Sequence, residues 1–181
     1  MKFALSLAAI AVASMLSASH AAGFALSSPT VSDGAALPDI HVKNRCGHPG
    51  GNLSPELSWS GAPVGTESFA VTVYDPDAPH EGGWWHWLVF DIPASAHGLP
   101  QGASTGAGLP AGAIESPTDF GKPGYGGACP PPGNAHHYVF TVYALRVGKL
   151  GLDAGADHDT VNSAIVRNTL DKATLTATYE R

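Results

Sequence analysis

Three short stretches carry side chains able to do chemistry. Asp75 and Asp77 flank Pro76 and are followed by Ala78 and Pro79; His86 stands among Trp84, Trp85 and Trp87; and Cys129 opens a proline run, Pro130–Pro132, that leads to His136, His137 and Tyr138. Carboxylates orient imidazoles or meet an ammonium, imidazole N–H and phenol O–H groups donate to anions, and a His/Asp pair can exchange protons with water. The same residues also have plainer uses. Asp-Pro pairs initiate turns, a histidine can be a satisfied core residue, and large aromatics dominate packing, the reading taken for the three tryptophans.

Strands must position these groups. Residues 68–75 alternate Phe69, Val71, Val73 and Asp75 against Ser68, Ala70, Thr72 and Tyr74, a period of two. Residues 84–92 are a second bulky strand, 137–147 are apolar on both faces, and 174–180 alternate again. Side chains two apart share a face, so Asp75 continues the row of Val71 and Val73, and His86 that of Leu88, Phe90 and Ile92. The short connection 76–83 predicts antiparallel neighbours, with Asp75 and His86 paired to each other or to a ligand, because a buried polar group left alone costs roughly 1–3 kcal/mol. His136 shares a face with Tyr138, whereas His137 points away. One depression can therefore gather Asp75, His86, His136 and Tyr138.

One helix is predicted, over 160–173, capped by Asp157 or Asp159, with Val161, Ile165, Val166 and Leu170 at helical spacing. Residues 95–128 read as a long Gly/Ala/Pro-rich loop, a kind that is usually functional when ordered. The fold class is mainly β: an antiparallel, Greek-key-like β-sandwich with one or two short helices near the C-terminus.

Residues 1–21 read as a cleaved secretory signal: Lys2, an apolar centre, then Ser19 and Ala21 as the small residues before the cut. The apolar run is shorter than the ~18 residues a membrane span needs. Residues 22–181 form a single domain in this reading, periplasmic or secreted, with no transmembrane anchor after cleavage. The net charge is −6, and only 13% of residues are charged. No basic cluster exists to neutralise phosphates, which argues against nucleic acid and anionic membranes as partners. Cys46 and Cys129 are the two cysteines, and an even count in an oxidising compartment points to a disulfide, with two separate buried thiols as the alternative. Neither has a second cysteine at zinc-site spacing.

The stretches 50–59, 69–79, 82–94, 119–133 and 136–145, "GGNLSPELSW", "FAVTVYDPDAP", "GGWWHWLVFDIPA", "DFGKPGYGGACPPPG" and "HHYVFTVYAL", resemble the phosphatidylethanolamine-binding proteins in their bacterial Raf-kinase-inhibitor-like branch. The resemblance implies a β-sandwich with a small anion-accepting pocket. Its residues, carried over by motif, are Asp75, Asp77, Ala78, His86, Cys129, Pro130, Pro131, His136 and Tyr138. It also places both cysteines near the pocket mouth. Eukaryotic members end in a long helix, whereas this chain ends on a strand.

Three classes of activity compete. A non-catalytic binder of a small anion, such as phosphate or a phosphorylated head group, needs no cofactor; with Lys122 and Arg146 only flanking the motifs, its affinity should be modest. In this class the protein regulates a protein partner, with a kinase or protease and a homodimer left open. A weak hydrolase would use the Asp75/His86 pair, and Gly102–Gly106 spells a nucleophile elbow around Ser104, but in a loop rather than between strand and helix. A metal site of Asp75, His86 and His136 ranks last. Asn52-Leu53-Ser54 spells a glycosylation acceptor.

Overall fold

The computed structural model describes residues 23–181 apart from Arg45, Gly47, His48, Gly106 and Ala107. The predicted signal, 1–21, lies outside the described residues. Two antiparallel sheets face each other. One orders β1 (Ala25–Ser27), β2 (Leu57–Ser60) and β5 (Gly98–Leu99); the other runs β6 (Ile114–Glu115), β4 (Trp84–Pro93), β3 (Ser68–Asp75), β7 (His136–Leu145) and β8 (Thr169–Tyr179). Apolar residues of both sheets meet between them: Leu57, Trp59 and Leu99 from the first, Phe69, Val71, Val73, Phe140 and Val142 from the second. The second sheet buries its other face too. Ala70, Leu88, Phe90, Tyr143 and Leu145 pack under Val161 and Ile165 of the helix α1 (His158–Asn168). That double burial explains why 137–147 reads as apolar on both faces.

Asp157 caps α1, its carboxylate accepting the Thr160 N–H at 2.8 Å. The helix ends at Asn168, five residues before the predicted end. Val166 is 60% exposed and Leu170 lies on β8. The β7–β8 ladder, which pairs Leu145 with Thr169 and Ala144 with Asp171, takes those backbone groups instead.

The register of β3 against β4 carries two bulges. Val73 pairs with Trp87 and Tyr74 with Trp85, so His86 is an extra residue without a partner position. A second bulge falls at Phe90–Asp91, where Asp91 takes a φ of 55°. Simple alternation therefore fails along β4. Trp85, Leu88 and Phe90 belong to the helix side, whereas Trp87, Val89 and Ile92 belong to the side between the sheets. His86, expected with Leu88 and Phe90, instead turns to the inter-sheet side. There its ring lies edge-on to Tyr138, with centroids 5.2 Å apart.

Candidate functional site

β4, β3 and β7 are adjacent strands, and their ends at Trp84, Asp75 and His136 fall at one edge of the sandwich. A cavity of about 220 Å³ opens there. It gathers eight of the nine predicted ligand residues: Asp75, Ala78, His86, Cys129, Pro130, Pro131, His136 and Tyr138. The ninth, Asp77, is not in its lining. The Asp77 carboxylate accepts both the backbone N–H and the Nδ1–H of His137 at 2.7 Å, on the exposed side of β7, and these bonds hold it below the usual carboxylate range. Asp77 thus clips the turn to the neighbouring strand.

The expected Asp75–His86 pair does not form. Asp75 Oδ2 accepts from His136 Nδ1 at 2.8 Å, and Oδ1 accepts the Asp77 N–H at 2.9 Å. His86 Nδ1 lies 2.7 Å from the Gly126 carbonyl. A carbonyl or carboxylate oxygen only accepts, so both Nδ1 atoms carry the proton. A ring without a second proton then keeps Nε2 as its acceptor. Burial pushes His86 below its ordinary value of 6.5, against the opposing pull of the Gly126 bond and the Asp75 charge. Tyr138 is 1% exposed, and burial, followed by the Asp75 charge, pushes its phenol far upward. It stays protonated. Among the described residues its hydroxyl makes no well-formed hydrogen bond, although the Asp75 carboxylate and the Cys129 backbone lie close enough to interact with it.

The opposite wall is made of loops. Cys46 and Cys129 form a disulfide, with Cα atoms 5.5 Å apart, that ties the 42–46 segment to the proline loop. Lys43 N–H also donates to the Ala128 carbonyl at 3.0 Å. Two adjacent glycines permit this approach. A Cβ on Gly127 would strike the backbone of 41–43, and one on Gly126 would strike the Phe120 ring. Asn52 braces the same turn: Oδ1 accepts Gly127 N–H at 2.8 Å, and Nδ2 donates to Tyr125 O at 3.4 Å. The amide of the predicted glycosylation acceptor is therefore engaged inside the protein. Ser104 is structural as well, its Oγ accepting Tyr125 N–H at 2.6 Å in a 3-10 turn, not the strand–helix elbow of a nucleophile.

Sequence reasoning missed Lys43, Pro79, Trp84 and Phe120, which also line the cavity. Trp84, expected to be packing, meets Phe120 edge-on at 5.5 Å, while Trp85 and Trp87 do pack. The wall thus has a cation after all: Lys43 Nζ lies 3.9 Å from the Phe120 ring centroid. Its position three residues before Cys46 was the available signal, since the disulfide brings that segment to the proline loop. Among the described residues, no three His, Cys, Asp or Glu side chains are grouped to hold a metal ion.

A profile described as phosphatidylethanolamine-binding protein matches residues 27–180. The chain belongs to that family. Among its relatives, the UPF0098 protein YbhB of Escherichia coli K12 is 47% identical over 148 residues, 81% of this chain and 94% of that one. YbcL of the same organism is 46% identical, and its crystal structure, described as a new member of the mammalian PEBP family, superposes with a TM-score of 0.85 over 88% of this chain and 99% of that one. A Mycobacterium tuberculosis protein named as a lipoprotein, LppC, is 39% identical over 86% of this chain and 71% of its own length. No helix among the described residues is long and apolar enough to cross a membrane.

Proposed function

We propose that this protein is an exported, non-catalytic binder of a small anion, a phosphate or phosphorylated head group held in the cavity of His86, His136 and Tyr138. One observation carries the reading: the Tyr138 hydroxyl is buried at the cavity beside the Asp75 carboxylate and the Cys129 backbone, and makes no well-formed hydrogen bond among the described residues. Such a group costs about 1–3 kcal/mol unless a ligand accepts its proton. The Nε2 of His136 suits the one P–OH of a singly protonated phosphate, His86 donates from Nε2 when protonated, and Lys43 supplies charge. An ammonium on the head group would meet Asp75. The Lys2–Ala21 pattern, the disulfide and the lipoprotein name of a relative support export. Regulation of a protein partner is the consequence this reading assigns to the bound state.

The Asp75–His136 contact favours one second reading, a weak hydrolase in which His136 Nε2 takes a proton from water. Among the described residues no activated side-chain nucleophile accompanies it, so generic esters and phosphoesters should show no turnover above buffer.

The binding reading has a pH signature. Bound anion favours the protonated His86, whose charge Asp75 and Asp119 support and Lys43 opposes. Affinity for sulfate, which does not titrate in this range, should therefore rise as pH falls through and below 6.5, by up to about tenfold per unit for one proton taken up. Calorimetry should find this dependence flattened in His86→Ala. Sulfate affinity unchanged by that substitution would remove the imidazole from the site.

A further inference from the structure

Phe120 separates the anion cavity from a second one of about 420 Å³, and Lys43 lines both. The second cavity is walled by Asn44, Asn52, Thr118, Lys122 and the turn at Gly124–Gly126, with no Asp or Glu in its lining. That is unusual in a chain of net charge −6 with only nine Lys and Arg. Neither Lys43 nor Lys122 has a carboxylate partner among the described residues. Burial, then the charge of Lys122, draws Lys43 below its ordinary value, so the two ammonium groups feel each other. An unpaired pair of like charges at a concave, partly desolvated surface is relieved by an anion. Lys43 lies over the face of Phe120, and the Phe120 and His86 rings meet in a T-shaped contact with centroids 5.4 Å apart.

We infer that the second cavity is a subsite for a second anionic group, so that the ligand carries two separated phosphates or carboxylates, one in each cavity with Lys43 between them. This rests on the anion reading of the first cavity and narrows the ligand to a bis-anion. Two groups joined by a tether of matching length bind more tightly than one.

The test uses the oxidised mature chain and calorimetry at low salt. The probes are alkyl monophosphates and α,ω-alkane bisphosphates of increasing chain length. At its best length the bisphosphate should bind about tenfold or more tightly than the matched monophosphate. Lys122→Ala should abolish that gain and leave monophosphate affinity unchanged; Lys122 is exposed, and among the described residues it takes part in the fold through its backbone carbonyl, which accepts from Thr118. Lys122→Arg should restore the gain. Monophosphate binding without any bisphosphate gain, or a gain that survives Lys122→Ala, would overturn the subsite alone. Absence of phosphate binding altogether would sink the first-cavity reading and this one with it.

Discussion

One wall of the cavity is made of strands and the other of loops, and different interactions hold each in place. Asp75, His86, His136 and Tyr138 stand on β3, β4 and β7, whose ladders run through the middle of the five-stranded sheet. Lys43, Phe120 and the Cys129–Pro131 run stand on segments without ladders. Three devices replace the ladder: the Cys46–Cys129 disulfide, the two close approaches at Gly126 and Gly127, and the Asn52 amide. The strand wall supplies directional groups with fixed protons. The loop wall supplies charge and shape, and can be loosened without unmaking the sheet.

That contrast can be broken from the loop side first. The double variant Cys46→Ser/Cys129→Ser should lose about 4 kcal/mol, because the bond closes a sequence separation of 83 residues. At roughly 2–4 °C per kcal/mol for a domain of this size, the thermal midpoint should fall by about 10 °C. Anion affinity should fall with it as Lys43 and the proline loop separate. A variant that keeps both midpoint and affinity would mean that the loop wall stands without its staple.

Gly126→Ala is the next largest. Its Cβ meets the Phe120 ring, and overpacking of this kind costs about 1–3 kcal/mol. Displaced Phe120 should weaken anion binding, whereas near-ultraviolet circular dichroism of the sheet tryptophans Trp85 and Trp87 should change little. An unchanged midpoint and affinity would show that the ring is not fixed by this contact.

The division also explains what was legible in the sequence. The rows Phe69–Asp75 and His136–Tyr138 follow period two, so the sandwich and most of the strand wall could be read directly. Simple alternation puts His86 on the wrong face because one extra residue in β4 leaves no mark on the hydrophobic pattern; only the pairing with β3 reveals it. Leu170 fits helical spacing as well as it fits β8, and the ladder to β7 decided between them. Lys43 was invisible to local patterning because a cross-link, not its neighbours, brings it to the site. Loop walls are specified by long-range contacts, and periodicity does not encode those.

The smallest expected effect sharpens the boundary of the site. Asp77 and His137 form an exposed pair beside the cavity, with side chains 41% and 55% exposed. His137→Ala should cost less than about 1 kcal/mol and leave anion affinity unchanged. A loss of binding would extend the site across the strand to its outer face.

The central claim is that the buried Tyr138 hydroxyl waits for an anion, and Tyr138→Phe tests it most directly. Removing a buried hydroxyl that makes no well-formed hydrogen bond among the described residues should leave the thermal midpoint unchanged or raise it, since about 1 kcal/mol of desolvation cost disappears. Calorimetric affinity for phosphate should fall by about tenfold or more, the worth of one hydrogen bond to a charged acceptor. Phosphate affinity equal to that of the native protein, with a lowered midpoint, would make Tyr138 a packing residue and contradict the account.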